Sequence, residues 1–244
     1  MNHLKRAIDV FNTELEELNS ALVRLKKNEK FGSLIDFLCR ENVRVIVIGM
    51  GKSGHIGSKI SASLASTGTF SFFLHPAEAY HGDLGMIGKK DCILFLSNSG
   101  ETEEILRLLP FIKKNGNSII SIIGNLNSTL AKNSDWILDA AVDKEACPIN
   151  LAPTSSSTLS LILGDCLTLA LMAAKDFKQE DFAKLHPGGN IGRRLLTTAK
   201  DHIILIGSLV CERNSSFEDL LSLMSSGGQG LILVRYEKDF GIIT

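Results

Sequence analysis

An excess of charge of either sign is what this sequence lacks first. Its 26 lysines and arginines stand against 27 aspartates and glutamates, a formal net charge of −1. Duplex-binding proteins draw much of their affinity from phosphate contacts and carry a basic field to make them. None is present, so nucleic acid is not an expected partner. Closely spaced cysteines are missing too. Cys39, Cys92, Cys147, Cys166 and Cys211 are odd in number and scattered, with no zinc-knuckle or redox-pair spacing. A disulfide framework is therefore not expected, and a reducing, cytoplasmic location is. The N-terminus enters an amphipathic pattern with Asp9, Glu14, Glu16 and Glu17, unlike a signal peptide. No apolar stretch reads as long enough to cross a bilayer, so no membrane partner is expected.

What is present is globular: 44% hydrophobic and 22% charged residues over 244 positions. That length suits one domain of about 190 residues with a short attachment. Apolar residues recur at helical spacing from Leu4 to Leu25, and again from Phe31 to Leu38. The first of these helices reads as a lid, an oligomer arm or a helix packed on its own domain. Continuous apolar runs predict strands at 43–48, 70–74, 92–96, 118–123 and 136–140. Helices are expected between them, one carrying Ile105, Leu108, Leu109 and Ile112 and a strongly apolar one spanning 155–174. Alternation of buried strands with helices predicts an α/β fold, a mostly parallel sheet flanked by helices. In such sheets ligands bind beyond the carboxyl ends of the strands. The polar motifs follow strands one, three and five.

Gly49-Met50-Gly51-Lys52-Ser53-Gly54 satisfies the spacing of a dinucleotide fingerprint, but the second strand ends in His75-Pro76 with no carboxylate for a ribose. It is not a P-loop either, since Ile46 stands where the first glycine belongs. The glycines still allow close backbone approach to an anion at a helix start, with Ser53 and Lys52 beside it. Ser97-Asn98-Ser99-Gly100-Glu101-Thr102 puts three hydroxyls at a strand–helix junction, a nest suited to a phosphate monoester. Thr154 and Ser155 open a third hydroxyl cluster before the apolar helix.

These motifs, with His81-Gly82-Asp83-Leu84-Gly85, Lys144-Glu145-Ala146-Cys147-Pro148, Leu151-Ala152-Pro153-Thr154-Ser155-Ser156 and His186-Pro187-Gly188-Gly189, resemble the D-arabinose 5-phosphate isomerases. These are sugar isomerase (SIS) domain proteins with a flavodoxin-like sandwich. The likeness spans roughly residues 7 to 200. It implies interconversion of D-ribulose 5-phosphate and D-arabinose 5-phosphate, feeding 3-deoxy-D-manno-octulosonate and hence lipopolysaccharide. It implies a homotetramer whose sites draw on more than one subunit, and Lys52, Glu104, Glu145 and His186 as catalytic residues. The expected organisation is an N-terminal helical segment at 1–40, an SIS domain at 41–200 and a truncated CBS-like module at 201–244. The tail reads as a helix at 216–224, a strand at 231–234 and another from 241, but its core looks too small to hold together, so a segment that is disordered, or docked loosely on the SIS domain or a neighbour, is expected beyond about residue 208.

Aldose–ketose isomerisation moves a proton between C1 and C2 through an enediol and needs a base. A carboxylate serves when its environment tunes it. Glu104 and Glu145 are both candidates, and the sequence does not choose between them. His186 suits proton movement between oxygens, and Lys52 suits a developing oxyanion or the phosphate. Ser53, His81, Ser97, Ser99, Thr102, Thr154 and Ser155 are the expected substrate contacts. No cofactor is required on this route. Family members can bind zinc near the site, where it inhibits, and His75 is the expected ligand. The alternatives are another phosphosugar isomerase or a non-catalytic phosphosugar sensor.

Overall fold

The computed structural model describes residues 2–40, 43–188, 194, 195, 198, 200 and 209–244. The chain divides into two compact units, Met1–Ile191 and Gly192–Thr244. The expected boundary at 200/201 falls beside residues outside the described set.

The first unit is built on five parallel strands in the order β2-β1-β3-β4-β5. They are β1 (Val45–Gly49), β2 (Ser71–Leu74), β3 (Cys92–Ser97), β4 (Ser118–Ile123) and β5 (Trp136–Asp139). The alternating geometry of a strand explains why these runs are apolar throughout. Val45, Val47, Leu94, Leu96, Ile120 and Ile122 fill one core layer. Ile46, Ile48, Ile93, Phe95, Ile119 and Ile123 fill the other. Each fully buried side chain of this size contributes roughly 1.5–3 kcal/mol. The first layer is covered by α1 (His3–Leu25), α2 (Phe31–Leu38), α3 (Gly51–Ser66) and α8 (Ser155–Ala174). The second is covered by α4 (Pro76–Tyr80), α5 (Glu103–Leu106), α6 (Leu109–Asn115) and α7 (Thr129–Lys132). A 3-10 turn at Asp83–Met86 follows α4, and α9 (Gln179–Leu185) follows α8.

Three expectations are corrected. The single helix expected over 105–112 is two, because Pro110 falls in the first turn of α6. Its missing N–H and its ring prevent one helix from running through. Helix α8 is, by length and composition, apolar enough to cross a membrane, contrary to the sequence reading. In this fold Leu159, Leu163, Leu167 and Leu171 pack it onto the sheet. Finally, the tail is not disordered over its described residues, and the helix and two strands read from the sequence form there. Strands β6 (Val210–Glu212), β7 (Ile232–Tyr236) and β8 (Asp239–Ile243), with α10 (Phe217–Gly227), form it. β6 and β7 pair parallel, β7 and β8 antiparallel. Sequence reading missed β6, only three residues long.

Helix α1 packs on its own domain, with Leu18, Ala21 and Leu25 against the core. Its outer face, including Leu4, Ile8 and Phe11, is exposed.

Candidate active site

The chain runs from β1 outward to β2, then returns across β1 to β3. This reversal leaves a crevice beyond the carboxyl ends of β1 and β3, where open α/β sheets bind ligands. The turn leaving β1 is shaped by its glycines. A Cβ on Gly54 would stand 2.8 Å from the Gly49 carbonyl oxygen, and Gly51 has φ +56°. A side chain at Gly54 would push the helix off the strand. The turn that results delivers Lys52 and Ser53 to the first turn of α3.

A cavity of about 190 Å³ sits there, lined by Met50, Lys52, Ser53, Asn98, Ser156, Ser157 and Ser160 among others. Three segments far apart in sequence thus converge: the start of α3, the turn after β3 and the start of α8. Lys52 forms no ion pair among the described residues. A larger cavity, about 690 Å³, lies by residues preceding β1, β2 and β3, at the sheet's amino ends. It holds none of the expected site residues.

The turn after β3 is wired internally. Ser97 is buried, and its Oγ accepts the Gly100 N–H at 3.1 Å and bonds Thr102 Oγ1 at 2.9 Å. Ser99 is exposed and accepts the Glu101 N–H at 3.2 Å. Gly100, at φ +66°, packs so close to Ser128 that a Cβ would meet its hydroxyl at 2.1 Å. Glu104 follows on α5, half-buried, its carboxylate free of hydrogen bonds and ion pairs among the described residues.

Glu145 is bound differently. Its Oε2 accepts the Thr154 N–H at 2.7 Å, the Thr154 hydroxyl at 2.9 Å and the Ser156 N–H at 3.3 Å. Its Oε1 accepts the Ser156 hydroxyl. Burial works to raise this carboxyl's pKa, but the hydrogen bonds from Ser156 and Thr154 outweigh it and hold it below its ordinary value. Thr154 Oγ1 also accepts the Ala146 N–H at 2.8 Å.

The remaining candidates are dispersed. Ser155 is 1% exposed, and its hydroxyl has no hydrogen-bond partner among the described residues. The cavity is lined instead by Ser156 and Ser157, which belong to the hydroxyl cluster read from the sequence but were not expected substrate contacts, and by Ser160, which the sequence reading did not name; Ser157 and Ser160 follow Ser156 at one- and four-residue helical steps. His75 caps α4, its Nδ1 accepting the Ala77 N–H at 3.3 Å. His81 ends that helix, exposed, its ring 6.0 Å from Tyr80. His186 ends α9, stacked on Phe182 at 3.9 Å, its Nδ1 bonded to the Phe182 carbonyl. It shares neither a hydrogen bond nor a cavity wall with Lys52, Glu104 or Glu145 among the described residues. No group of three or more histidine, cysteine or acidic side chains is placed to hold a metal among those residues.

A strand order with its reversal at β1/β3, and hydroxyl-rich turns beside a lysine without an ion pair among the described residues, are those of an α/β domain suited to a phosphorylated ligand. The SIS domain family model matches residues 37–170. Arabinose 5-phosphate isomerase KdsD of Pseudomonas aeruginosa is 49% identical, covering 95% of this chain and 71% of that protein. Arabinose 5-phosphate isomerase KpsF of Escherichia coli is 48% identical over 91% of this chain and 68% of that protein. A solved Escherichia coli structure in complex with arabinose 5-phosphate superposes with a TM-score of 0.68 at 42% identity, covering 77% of this chain and all of that one. The chain belongs to the SIS-domain arabinose 5-phosphate isomerase family.

Proposed function

We propose that this chain interconverts D-arabinose 5-phosphate and D-ribulose 5-phosphate through an enediol, supplying 3-deoxy-D-manno-octulosonate and lipopolysaccharide synthesis. The observation that carries the reading is the cavity at the β1/β3 reversal, lined by Lys52 together with Ser156, Ser157 and Ser160. The family's named relatives and the solved neighbour with bound arabinose 5-phosphate support it.

Glu104 is the base in this reading. Its carboxylate is uncommitted among the described residues, whereas that of Glu145 is consumed by donors from Thr154 and Ser156. A proton leaves C2 of the aldose for Glu104 and returns to C1, while the oxygens exchange a proton through His186. Lys52 steadies the enediolate oxygen or the phosphate. The hydroxyls of Ser53, Ser99 and Thr102 bind the phosphate, and His81 approaches from the α4 side. Among the described residues His186 shares no hydrogen bond with Lys52, Glu104 or Glu145, which supports a site completed by a neighbouring copy in a homotetramer. The reaction needs no cofactor; zinc at His75 is adventitious. The five free thiols fit a cytoplasmic setting. The order β6-α10-β7-β8 supports a CBS-like opening for the second unit.

The test is NMR of ribulose 5-phosphate with purified protein in D2O. Arabinose 5-phosphate should form with deuterium at C2. Tight binding without turnover would favour a phosphosugar sensor, and turnover of a hexulose phosphate alone would favour another isomerase.

A further inference from the structure

We propose that Glu17, on the N-terminal helix, is a positioning residue that sets the shape of the loop carrying Glu145, an inference that rests on the isomerase reading. Glu17 is 5% exposed, on the inward face of α1 beside the apolar Leu18 and Ala21. A carboxylate there is costly unless hydrogen bonds replace its lost water. Among the described residues no cation pairs with it. Its partners are two backbone amides 126 and 127 residues away: Asp143 N–H donates to Oε2 at 2.9 Å and Lys144 N–H to Oε1 at 3.2 Å.

Those amides immediately precede Glu145. The loop leaving β5 is therefore gripped at two successive points. Glu17 takes residues 143 and 144 from the side of α1. Glu145 then binds the first turn of α8 through Thr154 and Ser156, next to the Lys52 cavity. Two adjacent N–H groups pointing the same way need an acceptor with two oxygens at carboxylate spacing, which no apolar residue at this inward position could supply. The neighbouring Glu16–Lys144 pair, at 2.9 Å, is exposed on both sides and screened by water. It ties the same loop only weakly.

The test uses the whole chain, with Glu17→Gln as the main variant and Glu16→Ala as the control. Glutamine keeps the shape but turns an amide NH2 toward one of the two N–H donors. The expected kcat loss is about 10- to 100-fold, the scale of a small misplacement of catalytic groups. KM for arabinose 5-phosphate and binding of inorganic phosphate should change far less, because the phosphate hydroxyls sit on other segments. Amide exchange should quicken at residues 143–146 and stay unchanged in β1 and β3. Glu16→Ala should match the parent. A parent-like kcat in Glu17→Gln, or exchange that quickens evenly over the whole domain, would overturn the proposal. Should Glu17→Gln not fold, Glu17→Asp keeps both oxygens on a shorter stem, and the same local exchange pattern with reduced kcat is expected. If the parent protein shows no isomerase activity, the functional reading fails by itself, and the exchange pattern still decides whether Glu17 holds the loop.

Discussion

Glu145 and Thr154 are bonded twice through one oxygen: Glu145 Oε2 accepts the Thr154 N–H at 2.7 Å and the Thr154 hydroxyl at 2.9 Å. Thr154 in turn takes the Ala146 N–H. The pair closes a ring between the loop after β5 and the start of α8. It makes Glu145 a clamp, and in the proposed route the proton-transfer role falls to Glu104, whose carboxylate has no hydrogen bond or ion pair among the described residues.

The clamp has a pH signature. A carboxyl held below its ordinary value of 4.5 adds stability that is complete above that pH and is lost as pH falls through the folded-state value. The difference in thermal midpoint between the parent and Glu145→Gln should therefore be constant near neutrality and close below about pH 4.5. Thermal melts of both proteins from pH 7 to pH 3 measure it. A difference independent of pH would show that the carboxylate charge is not what the donors hold.

Turnover should separate the two glutamates. Glu104→Gln removes the proposed base and is expected to lower kcat by at least about 100-fold, with arabinose 5-phosphate binding retained in calorimetry. Glu145→Gln keeps the acceptor oxygen toward some donors and should leave measurable activity. If Glu145→Gln proves dead and Glu104→Gln active, the roles are reversed.

Most of the sheet was legible because a strand buried on both faces must be apolar at every position, as in Val45–Ile48 and Cys92–Leu96. The positions of the hydroxyl turns were legible because each directly follows such a run, while the bonds of Ser97 and Ser99 within their own turn were not. Contacts that depend on tertiary placement were not. Nothing local says that Glu17 will meet Asp143, or that Ser156 rather than Ser155 will face the cavity. That choice depends on the rotation of α8, and Gly164 sets it in part by close approach to Ile60, where a Cβ would stand 2.2 Å away. Pro110 was readable, and its interruption of the helix follows from its ring and missing donor.

Ser97 and Ser99 should behave differently under alanine substitution. Ser97 is buried and wired to Thr102 and Gly100. Ser97→Ala is expected to cost about 0.5–1.5 kcal/mol of stability as well as ligand affinity. Ser99 is exposed, so Ser99→Ala should leave the melting curve alone and weaken phosphorylated ligands by roughly 1.5–3 kcal/mol, the scale of a hydrogen bond to a charged group. Denaturant melts paired with titration calorimetry resolve the two. Unchanged affinity for arabinose 5-phosphate in the double variant would place the phosphate elsewhere.

Chelation should not harm the enzyme. A carboxylate base with a lysine at the oxyanion supplies both halves of enediol chemistry without a Lewis acid. Exhaustive dialysis against EDTA is expected to leave kcat intact or to raise it by stripping zinc from His75. Loss of activity that zinc or magnesium restores would require a metal in the reaction and overturn this route.

Assembly should depend on the outer face of α1. Phe11 is 72% and Leu4 70% exposed, and Ile8 and Leu15 continue the same stripe. A groove of about 80 Å³ between α1 and α8, lined by Leu22, Leu159, Ile162 and Cys166 among others, adjoins it. Exposed apolar residues grouped along one helix face suit a surface that another copy would cover. Because α1 also carries Glu17, a neighbour packed on its outer face would stiffen the helix that grips the Glu145 loop. Phe11→Glu should therefore break the assembly, each buried phenylalanine being worth up to about 3 kcal/mol, and should lower kcat in the dissociated form. A chain shortened to end at Lys200 retains both helices and should keep the parent's assembly and rate. Size-exclusion chromatography with light scattering, read alongside turnover, distinguishes the cases. A parent protein that is monomeric and fully active would show that this face serves something other than self-association, and that His186 acts within its own chain.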